Sequence, residues 1–245
     1  MNRGLARRAS AEFAGTGLLV AAVVGSGIAA ARLSPHDAGL RLLENALATA
    51  LALGALILIF GPVSGAHFNP VVSGVDWWLG RRARTGLTGG ELGAYLVAQI
   101  AGAVGGAVLA DVMFGLPAVT WSQTRRDGAH LWLAELVATA GLALLIFALA
   151  RSGRATAAPA AVGAYIGAAY WFTSSTSFAN PAVTAGRMFT DSFAGIAPSS
   201  APAFIAAQLL GGLAAIAGLA WWYPSAGRAA RAVVVPQTEQ EVSTQ

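Results

Sequence analysis

An Asn-Pro pair occurs twice in this 245-residue chain, at Asn69-Pro70 and at Asn180-Pro181, each time in the middle of apolar sequence. Pro fits the first turn of a helix because it has no N–H to leave unpaired, and Asn is among the best residues to cap one. Each pair therefore predicts a helix start. The run 70–79 after the first pair is ten residues long, and at ~1.5 Å per residue it crosses about half of a ~30 Å hydrocarbon layer. A lone Asn-Pro is an ordinary turn. A matched pair in two similar halves predicts one device built twice: two half-helices that enter a membrane without spanning it.

The membrane follows from composition. Charged residues make up 11% of the chain and hydrophobic ones 56%, against about 25% charged in soluble domains. A net charge of +4 arises from 15 basic residues, all Arg, and 11 acidic ones. That excess is too small and too scattered for nucleic-acid binding, so its use is in topology. With no Cys, the chain has no disulfide, thiolate ligand or Cys nucleophile. Neither a metal-ligand cluster nor a nucleophile, base and orienter grouping stands out. No enzyme activity, cofactor or metal is expected.

Residues 1–10 carry Arg3, Arg7 and Arg8 and lead into an apolar run at 13–31. That run exceeds the ~7–15 residues of a signal peptide's core and approaches the ~20 of a spanning helix. Further spans are expected at 46–60, with a start near Leu42, and at 92–110, 131–150, 160–172 and 202–223. Residues 61–68 are too rich in Gly and Pro for a helix, and the polar stretch 224–245 is predicted to be disordered. A single membrane domain is thus expected at 11–223. Its first repeat, about 11–112, and its second, about 131–223, share Ala-Glu-x-x-x-Thr at 11–16 and 134–139. They also share Ala-x-x-x-Ala-Gln-x-x-Gly at 94–102 and 203–211. Each repeat holds three spans and one half-helix. Because three is odd, the second repeat enters from the opposite side, and the fold expected is an all-α inverted repeat of 3+3 helices.

Arginine placement orients it. Arg3, Arg7, Arg8, Arg81, Arg82, Arg84, Arg151, Arg154, Arg228 and Arg231 fall on one side, against Arg32, Arg41, Arg125, Arg126 and Arg187 on the other. The positive-inside rule puts both termini in the cytoplasm, as in a multi-pass protein of the inner membrane. The two Pro ends then meet near the midplane.

Ser-Gly-Ala-His-Phe-Asn-Pro-Val at 64–71 and Ala-Asn-Pro-Ala at 179–182, with glutamates on spans one and four, resemble the two pore signatures of the aquaporin, or major intrinsic protein, family. The resemblance covers nearly the whole chain. Val71 stands where the family most often has Ala; Pro70, Pro181 and Ala182 fit. It implies a homotetramer in the lipid bilayer with one pore per subunit, passing small neutral solutes. It assigns Asn69 and Asn180 as amide donors at the pore centre. The carbonyls of Gly65, Ala66 and His67, and of Thr176, Ser177 and Phe178, become acceptor ladders. Physics agrees, since unwound backbone is tolerated at membrane depth only where it lines a watery cavity.

The chain departs from water-selective members at Val183, where they carry Arg. Carried over by offset, the selectivity ring is Thr49, Ala168, Ser177 and Val183, with no charge and no aromatic. The run Tyr-Trp-Phe-Thr at 170–173 with Asn-Pro-Ala-Val-Thr at 180–184 resembles the bacterial subgroup associated with arsenic resistance, which implies arsenous acid or methylated arsenicals beside glycerol-like solutes and water. Arg187 is one turn beyond Val183 and faces an outer vestibule or sits at the interface, favoured there by the helix dipole.

An acid within a span is a functional candidate. Glu12 and Glu135 are either coupling sites of a transporter or, as the resemblance implies, acceptors for the N–H groups of re-entrant loops. Gln99 and Gln208 would help satisfy the same loops, and His67 would line the cytoplasmic mouth. The competing function is an ion-coupled secondary transporter, which also uses inverted repeats but needs a charge beside the midplane site. A third possibility is a scaffold with a closed pore.

Overall fold

The computed structural model describes residues 3–82 and 84–223; the expected disordered stretch 224–245, with Arg228 and Arg231, lies outside them. Those residues form helices and the loops between them, with no strand. α1 (Arg3–Leu33) starts well before the predicted span. Arg, Ala and Leu are strong helix formers, so the basic lead-in continues the helix out of the bilayer, and 31 residues give ~46 Å.

α2 (Ala38–Ser64) is capped by Asp37, whose carboxylate accepts from the Leu40 N–H. It runs through Pro62, where the sequence predicts a break. An internal Pro removes its own N–H bond, but Gly61 and Pro62 fall in the last turn and little is lost. The stop comes at Gly65, whose left-handed conformation (φ +89°) only Gly adopts freely. α3 (Pro70–Gly80) is the first half-helix. α4 (Gly89–Met113) starts from a capping box between Thr88 and Glu91.

α5 (Ala129–Arg151) and α6 (Ala158–Phe172) follow, then α7 (Pro181–Gly186) and α8 (Ala201–Trp222). Five of these, α1, α2, α4, α5 and α8, are long and apolar enough to cross a membrane alone. α6 has 15 residues, ~22 Å, and takes the fifth crossing place with a 3-10 turn before it at Ala155–Ala157. α7 has six residues and passes into a 3-10 turn at Arg187–Phe189.

Packing repeats between the halves. α1 lies on α2 and α4 as α5 lies on α6 and α8, and α2 meets α6. Each half-helix crosses over: α3 touches α8, and α7 touches α4. Helix backbones meet closely at the shared glycines, Gly102 and Gly211, and at Gly106. A Cβ on Gly102 would sit 2.2 Å from the Phe13 carbonyl oxygen, one on Gly106 would sit 2.1 Å from that of Gly17, and one on Gly211 would sit 2.6 Å from that of Leu136. Small residues let helix backbones meet closely where lipid supplies no hydrophobic drive. Outside, Leu51, Leu213 and Trp221 are exposed, as a surface facing hydrocarbon requires.

Candidate functional site

The two loops that precede α3 and α7 are built alike. Asn69 caps α3 through an oxygen that accepts from Val71 N–H, and Asn180 caps α7 through one that accepts from Ala182 and Val183 N–H. Each spare amide group crosses to the other loop. Asn69 Nδ2 donates to the Ala179 carbonyl at 2.7 Å, and Asn180 Nδ2 to the Phe68 carbonyl at 2.7 Å. An amide nitrogen carries two hydrogens, so one on each Asn remains for a solute. Pro70 and Pro181 take the first helical turn in both.

Just before each Asn the backbone is left-handed at matched places: Ala66 (φ 52°) and Phe68 (φ 50°), then Ser177 (φ 50°) and Ala179 (φ 47°). None is Gly, and each such residue costs about 1–2 kcal/mol. The buried glutamates offset that strain. Glu12 accepts from His67 N–H (3.0 Å), Phe68 N–H (2.8 Å), Ser64 Oγ (2.6 Å) and Gln99 Nε2 (2.8 Å). Glu135 accepts from Phe178 N–H (2.9 Å), Ala179 N–H (2.8 Å) and Gln208 Nε2 (2.6 Å). The two glutamines also reach matched hydroxyls four residues past each Asn, Gln99 to Ser73 and Gln208 to Thr184.

These loops wall a cavity of about 500 Å³. Gly65, Ala66, His67 and Asn69 line it from one loop, and Ser177, Phe178, Asn180 and Val183 from the other. His67 is buried, its Nδ1 2.9 Å from Ser73 Oγ and its ring edge-on to Tyr95. Thr176 is half-buried and does not line this cavity, whereas Ser177 and Phe178 do. Val71 and Ala182 are packing residues: a Cβ on Gly212 would meet a Val71 methyl at 2.6 Å, and that Gly leaves room for the larger side chain.

The expected ring needs correcting. Thr49, Ser177 and Val183 line the cavity, but Ala168 lies on the exposed face of α6. Ile166 and Tyr170 face inward instead, and the Tyr170 hydroxyl is 3.2 Å from Thr49 Oγ1. The wall at this level therefore carries an aromatic hydroxyl that the offset did not foresee. Arg187 is not an interface residue either. It is 2% exposed, lines the cavity, stacks its guanidinium 3.4 Å above the Phe178 ring and donates from Nε to the Ala194 carbonyl. On the other side of that wall Arg126, in the loop before α5, bonds the carbonyls of Gly195 and Phe193 and lies 5.0 Å from the same ring. Burial lowers the Arg126 pKa from its ordinary value.

Six crossing segments around two half-helices, joined by their caps across a lumen, define a membrane pore. The chain belongs to the major intrinsic protein family, whose model matches residues 2–177. Aquaglyceroporin AqpS of Rhizobium meliloti is 52% identical over 217 residues, 89% of this chain and 90% of its own length. The probable aquaporin AqpM of Archaeoglobus fulgidus is 31% identical over 251 residues, 91% of this chain and 98% of its own. The X-ray structure of the aquaglyceroporin from Plasmodium falciparum matches with a TM-score of 0.65 at 20% identity, covering 90% of this chain and 97% of that one, which establishes the fold.

Proposed function

We propose that the chain is a passive channel for small uncharged solutes of glycerol size, with water passing beside them. The observation that carries this reading is the cavity lined by both loops, with Asn69 and Asn180 at its junction and Val183 on its wall. Two amide donors, with the backbone of the residues that line the cavity supplying acceptors, serve a neutral hydroxylated solute in place of its water shell. A bare cation finds no carboxylate there, since Glu12 and Glu135 spend their oxygens on backbone N–H groups and glutamines. That disposition is also the case against a coupled transporter, which needs an acid free to bind its ion.

The 52% identical relative is called an aquaglyceroporin, which supports glycerol as a solute. Val183 followed by Thr184 supports arsenous acid and methylated arsenicals as well. In our reading the protein is a homotetramer of the inner membrane with both termini cytoplasmic. Stopped-flow swelling of proteoliposomes against water, glycerol, urea and arsenous acid tests the function. Passage of water alone would overturn the wider-pore reading.

A further inference from the structure

The wall carries a guanidinium with no anionic partner. Among the described residues the ion pairs are Arg8 with Glu91 and Arg125 with Asp127, and Arg187 is in neither. Its Nε is engaged by the Ala194 carbonyl and its face by Phe178, whereas its terminal nitrogens donate to no described residue. A second unengaged group lines the same cavity: the Ser177 hydroxyl, in a residue 3% exposed, has no partner among the described residues. A buried polar group without a partner is costly; the Thr16 and Thr139 hydroxyls are also without one among the described residues but lie away from the cavity, whereas Arg187 and Ser177 are on its wall.

We propose that Arg187 and Ser177 form a specificity site that selects solutes bearing two or more oxygens on one central atom. The inference rests on the channel reading above. With Nε and the face occupied, the guanidinium presents its two terminal nitrogens as a planar fork, which matches a pair of oxygens on one centre and matches nitrogen donors poorly. Ser177 Oγ, able to donate or accept, takes a further oxygen or hydroxyl. Val183, on α7 four residues before Arg187, lines the same cavity and adds no charge or hydrogen-bonding group beside this fork. The charge, with Arg126 behind Phe178, excludes cations from the same stretch.

The test uses the full chain in proteoliposomes. Its probes are boric acid, neutral with three oxygens on one atom, and urea, with one oxygen and two amino groups. Parent, Arg187→Lys, Arg187→Leu and Ser177→Ala are compared at equal reconstituted amounts. Loss of a charge-assisted fork is expected to lower the boric acid to urea permeability ratio by about tenfold in both Arg187 variants. Lys keeps the charge, so sodium leak should rise in Arg187→Leu and not in Arg187→Lys. Ser177→Ala, the mildest change, should lower the same ratio in the same direction without leak. If folded Arg187→Lys and Ser177→Ala leave the ratio at the parent value, or lower both solutes alike, Arg187 is a structural anchor for the loop at 194 and the proposal fails. If the parent passes neither probe nor glycerol, the channel reading itself fails.

Discussion

At the residue scale the two Asn side chains do separable jobs, since the oxygen caps a helix and the nitrogen bridges to the opposite loop. Asp caps as well as Asn, so Asn180→Asp should fold but place a carboxylate against the Phe68 carbonyl that now accepts a hydrogen bond. Glycerol flux should fall about tenfold, ~1.4 kcal/mol in the barrier, with a rise in sodium leak, read by paired swelling and conductance; normal flux without leak would place the pore elsewhere. Val183→Arg would put a second guanidinium one turn inward of Arg187 on the cavity wall. We predict that it cuts glycerol or arsenous acid flux far more than water flux. The same change in an Arg187→Leu background should be milder, because the two charges no longer repel. Equal glycerol flux in parent and a folded Val183→Arg protein would show that the constriction is not at this level. Glu135→Gln is a stability variant. An amide cannot accept from two backbone N–H groups and Gln208 at once, and the unmet donors should cost about 2–3 kcal/mol, seen as a lower Tm in detergent; an unchanged Tm would mean that the loop holds its strained backbone unaided.

At the element scale, helix contacts depend on glycines that carry no chemistry. Gly106→Leu would drive a side chain into the Gly17 backbone and should cost about 3 kcal/mol or more, leaving little folded protein by size-exclusion chromatography; a monodisperse, active variant would show that α1 and α4 are free to separate. This scale also separates what is legible in sequence from what is not. The half-helices announce themselves through Asn-Pro, and Glu12, Glu135, Gln99 and Gln208 stand out because polar groups in spans are rare. Ser73 and Thr184 share a signal that was there to find: a hydroxyl four residues after each Asn. Helix phase was harder. α6, Ala-Pro-Ala-Ala-Val-Gly-Ala-Tyr-Ile-Gly-Ala-Ala-Tyr-Trp-Phe, has no charged residue to mark its outer side, so Ala168 and Tyr170 could not be told apart by pattern. The left-handed Ala66, Phe68, Ser177 and Ala179 were invisible, because no Gly marks them and it is the distant glutamates that hold them. Pro62 misled for the opposite reason, as a breaker that falls where the helix is already ending.

At the scale of the whole molecule, the inverted repeat matters because it makes the lumen from two equivalent loops without placing a free carboxylate between them. Each glutamate is spent on its own loop, the amide nitrogen of each Asn on the other, and the cation of the cavity wall is fixed by a carbonyl and a ring. Such an arrangement has no free acid on the cavity wall whose protonation could drive a solute through. The most direct test of that claim is uptake of labelled glycerol into proteoliposomes with and without imposed proton and sodium gradients. A passive pore predicts one rate in all conditions and an internal concentration that stops at the external one. Accumulation above the external concentration, or loss of uptake when the gradients are collapsed, would contradict it.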